Sequence, residues 1–228
     1  MRDWEKLIPA SEHRFFKKAG FMGVLKPGKR AALVVVDVTM GFCGSPGLTL
    51  DAAVAEYPTA CGPASWIAMP RIARLIAMFR QQDLPVVYSR ANLADAGWAG
   101  NATKSGAVSR KPGFNDFPTQ ITPRDRDWVL EKTKASAFFH TPLTTYLTKE
   151  GVDTLVFCGV STSGCVRASV VDGFSHGYQT FVVDECCFDR SEYAHAANLF
   201  DMQAKYAVVQ SLEETEAMFG ARKLAAAE

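Results

Sequence analysis

A chain of 228 residues suffices for one full domain with a small appendage, and its 25 Lys and Arg against 24 Asp and Glu leave a net charge of +1. That balance excludes a protein that binds nucleic acid by neutralising phosphates, which needs a basic surplus. With 48% hydrophobic and 21% charged residues the composition is that of an ordinary globular chain rather than a disordered one, and no uninterrupted apolar stretch is long enough to predict a membrane span.

Residues 1–30 mix Phe15, Phe16 and Phe21 with lysines and end in Lys26-Pro27-Gly28-Lys29-Arg30, where Pro-Gly marks a turn. They are expected to form an arm that packs on the domain or on a neighbouring subunit, ahead of a domain over 31–228. No apolar run of signal-peptide type follows Met1–Lys6. Cys43, Cys61, Cys158, Cys165, Cys186 and Cys187 form neither a CxxC pair nor a disulfide framework, which predicts reduced thiols and a cytoplasmic location. His13, His140, His176 and His195 are scattered, so no metal and no other cofactor is expected.

The first predicted strand is Ala31–Val38, a valine-rich run of the kind buried on both faces of a covered parallel sheet. Further strands are expected at Leu84–Tyr88, Asp127–Leu130, Asp153–Cys158, Gln179–Val183 and Tyr206–Val209. Between them lie helical stripes. Ile72, Leu75, Ile76 and Phe79 recur at i, i+3, i+4 and i+7. Thr141 and Pro142 read as N-cap and first helical residue, with Leu143, Tyr146 and Leu147 on one face. Val166, Val170 and Phe174 form another stripe, stopped at Gly177. The alternation predicts an α/β protein, a three-layer α/β/α sandwich around a mainly parallel six-stranded sheet.

Ligands of such sheets bind at the carboxyl ends of the strands, and three polar residues stand there. Asp37 interrupts the first apolar run, Lys132 follows the third, and the fourth runs into Gly159-Val160-Ser161-Thr162-Ser163-Gly164-Cys165 before a helix. A thiol at a helix N-terminus sees unpaired N–H groups that favour thiolate, and the neighbouring amides could hold an oxyanion. Asp37 could serve as general base toward that thiol, and Lys132 could support the developing charge as a histidine does in a Cys–His pair. Each also has a plainer reading: a small buried hydrophobe for Cys165, a loop cap for Asp37, a solvated strand-end cation for Lys132. His140 competes for the role of base or lines a pocket. The loop Thr39–Gly44 is not a GxGxxG turn, which argues against a nucleotide module.

Taken together, Asp37 after a valine-rich strand, Lys132 within Lys-Thr-Lys-Ala-Ser-Ala-Phe-Phe-His-Thr, and Gly-Val-Ser-Thr-Ser-Gly-Cys-Val-Arg-Ala closely resemble the isochorismatase-like cysteine hydrolases, from about Arg30 to Ser211. Within that family the tract around Cys165, with Asn198-Leu199-Phe200-Asp201 and Lys205-Tyr206, looks most like the N-carbamoylsarcosine amidase branch, and maleamate amidases are similar over the same tract. The resemblance implies Asp37 as base, Lys132 (four residues before Ser136, rather than Lys134) as charge partner and Cys165 as nucleophile. It further implies a cis peptide near Val160–Ser161 and an oxyanion hole from the Ser161 and Cys165 amides.

The resemblance leads to the expectation of an amidohydrolase, cleaving a C–N bond of a small carbamoyl or amide substrate, N-carbamoylsarcosine-like, through a thioester with release of ammonia. The alternatives are a maleamate or ureidoacrylate amidase, or a catalytically silent member of the family. An acidic substrate would want a guanidinium, for which Arg90 and Arg167 are candidates, although Arg167 could instead tie its helix to a neighbouring segment. The stretch Tyr88–Asp95 lacks the histidines of the nicotinamidase metal site, so neither the metal nor nicotinamide is implied. The segments 43–63 and 92–118 are expected to line the pocket. The family also implies a homo-oligomer, a tetramer or dimer, while the charge balance and the lack of a long apolar stretch lead to the expectation of neither nucleic acid nor membrane as partner.

Overall fold

The computed structural model describes residues 2–93, 102–104 and 111–220. Six parallel strands form one sheet in the order β3-β2-β1-β4-β5-β6. They are β1 (Ala31–Val36), β2 (Val86–Ala91), β3 (Trp128–Lys132), β4 (Thr154–Val160), β5 (Gln179–Phe188) and β6 (Val208–Gln210). All of β1 and β4 is buried, as befits central strands covered on both faces. Parallel neighbours need crossovers, and these supply the helices of the two outer layers.

One layer holds α2 (Met40–Cys43), α3 (Leu50–Glu56), α4 (Pro63–Gln81) and, late in the chain, α8 (Leu212–Phe219). Its core packs Ile72, Leu75, Ile76 and Phe79 of α4 with Phe219 against Leu33, Val35 and Tyr88 of the sheet. The other layer holds α5 (Leu143–Lys149), α6 (Arg167–Ser175) and α7 (Glu192–Lys205). There Leu143, Leu147, Val166, Val170 and Leu199 cover Ala32, Val34, Val36 and Phe157. The arm, with α1 (Ala10–Lys18), lies on the same chain. Trp4 is buried and its indole N–H donates to Asp184 at 2.9 Å, while Arg2 donates to the Val209 carbonyl at 2.6 Å.

Several boundaries differ from expectation for identifiable reasons. β1 stops at Val36 because Asp37 takes a left-handed backbone, φ 52°. β3 begins and ends later than Asp127–Leu130, so Lys132 is its last residue rather than one beyond it. β5 continues five residues past Val183, burying Cys186 toward one layer and Cys187 toward the other. Helix α5 starts at Leu143 with Pro142 in the capping position, yet the Thr141 hydroxyl still accepts from the Leu143 N–H at 3.3 Å. Phe174 leaves its stripe and is exposed, its ring meeting Tyr206 edge-on. No helix among the described residues is long and apolar enough to cross a membrane.

Candidate active site

Asp37 and Lys132 meet at the carboxyl edge of the sheet. The Lys132 ammonium stands 2.7 Å from Asp37 Oδ2, and both side chains are almost wholly withdrawn from solvent. Side-chain alternation would send residue 37 to the face opposite Val36. The left-handed backbone at Asp37, which aspartate tolerates better than most residues, breaks that alternation and turns the carboxylate toward β2 and β3. Ser89 of β2 completes its surroundings. The serine hydroxyl donates to Asp37 Oδ1 at 2.7 Å, and the Asp37 N–H donates to the Ser89 carbonyl at 3.1 Å. Lys132 Nζ also donates to the Lys134 carbonyl at 3.0 Å.

The sulfur reaches the same place from β4. At Gly159 the backbone takes φ 116°, and a Cβ there would lie 2.1 Å from the Val36 carbonyl oxygen, so only glycine lets β4 run this close to β1. The Val160–Ser161 peptide is cis. A single π-turn, Thr162–Val166, comes next, with the Gly164 and Val166 N–H groups returning to the Ser161 carbonyl at 2.9 and 3.2 Å. Cys165 lies within this turn, half-buried, and its thiol interacts electrostatically with both Asp37 and Lys132. Ser169 bridges two segments: its hydroxyl donates to the Cys165 carbonyl at 2.7 Å and accepts from the Ala137 N–H at 2.9 Å.

Charge in this cluster is not arranged as the helix-end argument expects. Burial, and then the Asp37 carboxylate, push the Cys165 thiol up to about 12, outweighing the downward pull of Lys132. Burial works against the Lys132 ammonium, but Asp37 and Cys165 more than offset it and its pKa is raised. The resting state is therefore a neutral thiol beside a buried ion pair, and the expected thiolate is corrected: burial and the nearby carboxylate oppose an anion more than Lys132 supports one.

Residues 31–214 match the isochorismatase domain family. The chain belongs to the isochorismatase family. It is 37% identical over 193 residues to a maleamate amidohydrolase of Pseudomonas putida, covering 82% of this chain and 85% of that one. To an N-carbamoylsarcosine amidase of an Arthrobacter species it is 26% identical over 212 residues, covering 87% and 74%. The structure of an N-carbamoylsarcosine amidase from Thermoplasma acidophilum superposes with a TM-score of 0.62 at 25% identity, over 81% of this chain and 98% of that one. This isochorismatase-family chain is a hydrolase of the amidohydrolase kind.

The remaining candidate residues of the family chain lie elsewhere. Arg90 is one residue beyond Ser89, so alternation turns it to the other face. There Glu131, directly opposite in register, holds its guanidinium at 2.8 Å. Arg167 binds Asp201 of α7 at 2.8 Å, so it ties two helices together. His140 is exposed in the loop before α5, its ring against Phe139. None of the three joins the Asp37–Lys132–Cys165 cluster. Among the described residues no group of three His, Cys, Asp or Glu side chains stands together as a metal site.

Residues that went unpredicted frame the cluster instead. Ser89 carried a readable signal, a serine closing the apolar run Val86-Val87-Tyr88. Ser169 carried none, because its two partners are 4 and 32 residues away. Arg190 lies two residues past the end of β5, exposed, and its guanidinium donates to the Thr59 carbonyl; among the described residues no carboxylate forms an ion pair with that guanidinium. Its contact brings part of the 43–63 segment to this edge. Much of 92–118 lies outside the described residues.

Proposed function

We propose that this enzyme hydrolyses the C–N bond of a small linear amide that bears a carboxylate, maleamate-like, through a thioester on Cys165 and with release of ammonia. The observation that carries the reading is the meeting of a buried carboxylate–ammonium pair, 2.7 Å apart, with a half-buried thiol that interacts electrostatically with both partners. Such a cluster has little structural purpose, since a buried ion pair contributes poorly to stability compared with apolar packing.

In this reading Asp37 takes the Cys165 proton as the sulfur attacks the amide carbon, so the neutral resting thiol is ionised only as its charge passes to substrate. Lys132 pairs with Asp37 beforehand and opposes the negative charge on sulfur during transfer. The tetrahedral oxyanion accepts from the Ser161 and Cys165 N–H groups. Asp37 returns the proton to the departing nitrogen, the C–N bond breaks, and ammonia leaves. Water then attacks the thioester while Asp37 takes its proton, which passes to the sulfur as the acid is released. On a carbamoyl substrate the same steps would yield a carbamate, which loses carbon dioxide.

Greater similarity to the maleamate amidohydrolase than to the N-carbamoylsarcosine amidase moves the substrate preference away from the carbamoyl type. Arg190 supplies a guanidinium at the right edge to meet a substrate carboxylate, in place of Arg90 and Arg167. The test is ammonia release from maleamate, N-carbamoylsarcosine, ureidoacrylate and an uncharged short amide. Turnover of maleamate that disappears in Cys165→Ala, with KM raised at least about tenfold in Arg190→Met, is the expected result. Unchanged turnover in Cys165→Ala overturns the nucleophile assignment, and preference for the uncharged amide overturns the substrate class.

A further inference from the structure

The turn that carries Cys165 is held from behind by two residues that the thioester route leaves unused. Ser163 donates to Asp189 Oδ2 twice, from its N–H at 2.9 Å and its hydroxyl at 2.7 Å, while Asp189 Oδ1 accepts from the Arg190 N–H at 2.8 Å. The Thr162 hydroxyl, on a residue with no exposed surface, meets Nδ1 of His195 on α7 at 2.8 Å. Asp189 and His195 also form part of the wall of a cleft of about 630 Å³ beside the arm, which Asp37, Lys132 and Cys165 do not line. Two consecutive residues between the cis peptide and the sulfur are thus tied to side chains outside the catalytic cluster.

We propose that His195 is a positioning residue: its Nδ1 holds the Thr162 hydroxyl and so fixes the turn whose Ser161 and Cys165 amides are to receive the oxyanion. This rests on the thioester reading. Thr162 is adjacent to Ser161, so a shift of its backbone moves one of the two donors directly. Loosening the turn weakens an interaction that matters most in the transition state, which lowers kcat more than it raises KM.

The hydrogen bond is also sensitive to protonation. In a neutral ring Nδ1 can accept from the threonine hydroxyl, whereas in the imidazolium both ring nitrogens donate. Protonation would then leave a buried hydroxyl hydrogen without its acceptor. Burial holds the His195 pKa below its usual value, and the facing Asp189 only partly opposes this. Glu192, one turn earlier on α7, and Arg2, Asp3, Arg71, Asp184 and Glu185 are the other charged groups around the cleft. The ring is therefore neutral at pH 7, and as pH falls through a value below about 6.5 the bond must reverse, with Nδ1–H donating to the threonine oxygen and the hydroxyl hydrogen turned away.

The experiment compares His195→Leu and His195→Asn with wild type, measuring kcat and KM for the best amide of the panel against pH. Asparagine can place an amide where Nδ1 stood; leucine fills space without a polar atom. His195→Leu is expected to lower kcat about tenfold with little change in KM, and His195→Asn to recover most of it. Both should lose the ionisation below pH 6.5. Wild-type kcat and an unaltered acid limb in the variants overturn the proposal. Should His195→Leu fail to fold, persistence of that ionisation in His195→Asn does the same. The rate of Cys165 alkylation by iodoacetamide against pH is the second readout and needs no substrate: an inflection below pH 6.5 that His195→Asn lacks supports the proposal, and one that it keeps refutes it. Failure of the hydrolase reading shows separately, as absence of ammonia from every amide in wild type.

Discussion

Replacing Lys132 with methionine removes the ammonium while keeping most of the apolar stem, so the perturbation is electrostatic. Asp37, 1% exposed, is left with the Ser89 hydroxyl at 2.7 Å and without its cation. Breaking a buried pair by deleting one partner costs about 3–5 kcal/mol. For a chain of this size that lowers Tm by roughly 6–20 °C. The sign of the pH dependence is set by the raised pKa of Lys132, whose burial is outweighed by Asp37 and Cys165. A cation with a raised folded value contributes its full stability below the ordinary lysine value of about 10.4 and loses that contribution as pH rises through the folded value. The deficit of the variant is thus complete at pH 7 and closes only in strong alkali. Thermal unfolding at pH 7 and pH 9 measures it, with ammonia release alongside, where turnover should drop at least about a hundredfold. The double variant Asp37→Asn/Lys132→Met should regain much of the lost Tm, because the orphaned charge is gone. A single variant that melts within about 2 °C of wild type would refute the claim that the pair is buried and coupled.

The same geometry sets three further outcomes. Iodoacetamide should label Cys165 ahead of the other five thiols, which are all buried; peptide mass spectrometry after brief exposure reads the order, and first labelling elsewhere contradicts the structure. Asp37→Asn should abolish ammonia release yet quicken Cys165 alkylation at pH 8, because Asp37 is the charge that raises the thiol while Lys132 lowers it; slower alkylation sinks that account. Gly159→Ala, at φ 116° with its new Cβ 2.1 Å from the Val36 oxygen, should destabilise the fold by about 2–4 kcal/mol in urea unfolding.

How much of this could be read in advance depended on the range of the interaction. The strands were visible because parallel packing demands double-sided burial, which writes valine runs such as Ala31–Val36 directly into the chain. Asp37 and Lys132 were visible for the complementary reason, as ionisable groups set at the ends of such runs. Where β1 stops was not visible, because the left-handed turn at Asp37 serves a contact with Lys132 that is 95 residues distant in the chain. The ion pairs of Arg90 and Arg167 were not visible for the same cause. Their partners, Glu131 and Asp201, become neighbours only through strand register and helix packing. The thiol's protonation state was likewise beyond local rules, since the turn supplies N–H groups but the sheet supplies a carboxylate.

The sheet order also dictates what Ser89 must be. β2 lies between β1 and β3, so Asp37 and Lys132 come from strands about 9.6 Å apart at two inter-strand spacings, and their side chains must meet over β2. Ser89 is the β2 residue beneath that meeting, fully buried and bonded to Asp37 through its hydroxyl. A small residue is needed there for space and a hydroxyl for the hydrogen bond, and two substitutions separate these demands. Ser89→Ala deletes only the donor and should cost about 1–3 kcal/mol of stability with kcat reduced modestly. Ser89→Val deletes the donor and adds a methyl group where the ion pair closes, so kcat should fall much further than in Ser89→Ala. Measured under saturating substrate, equal kcat values for the two would mean that the pair does not cross over β2 as described, and that only the hydroxyl matters. A larger loss for valine, reversed neither by higher substrate nor by lower temperature, is what a crossing of the pair over β2 requires.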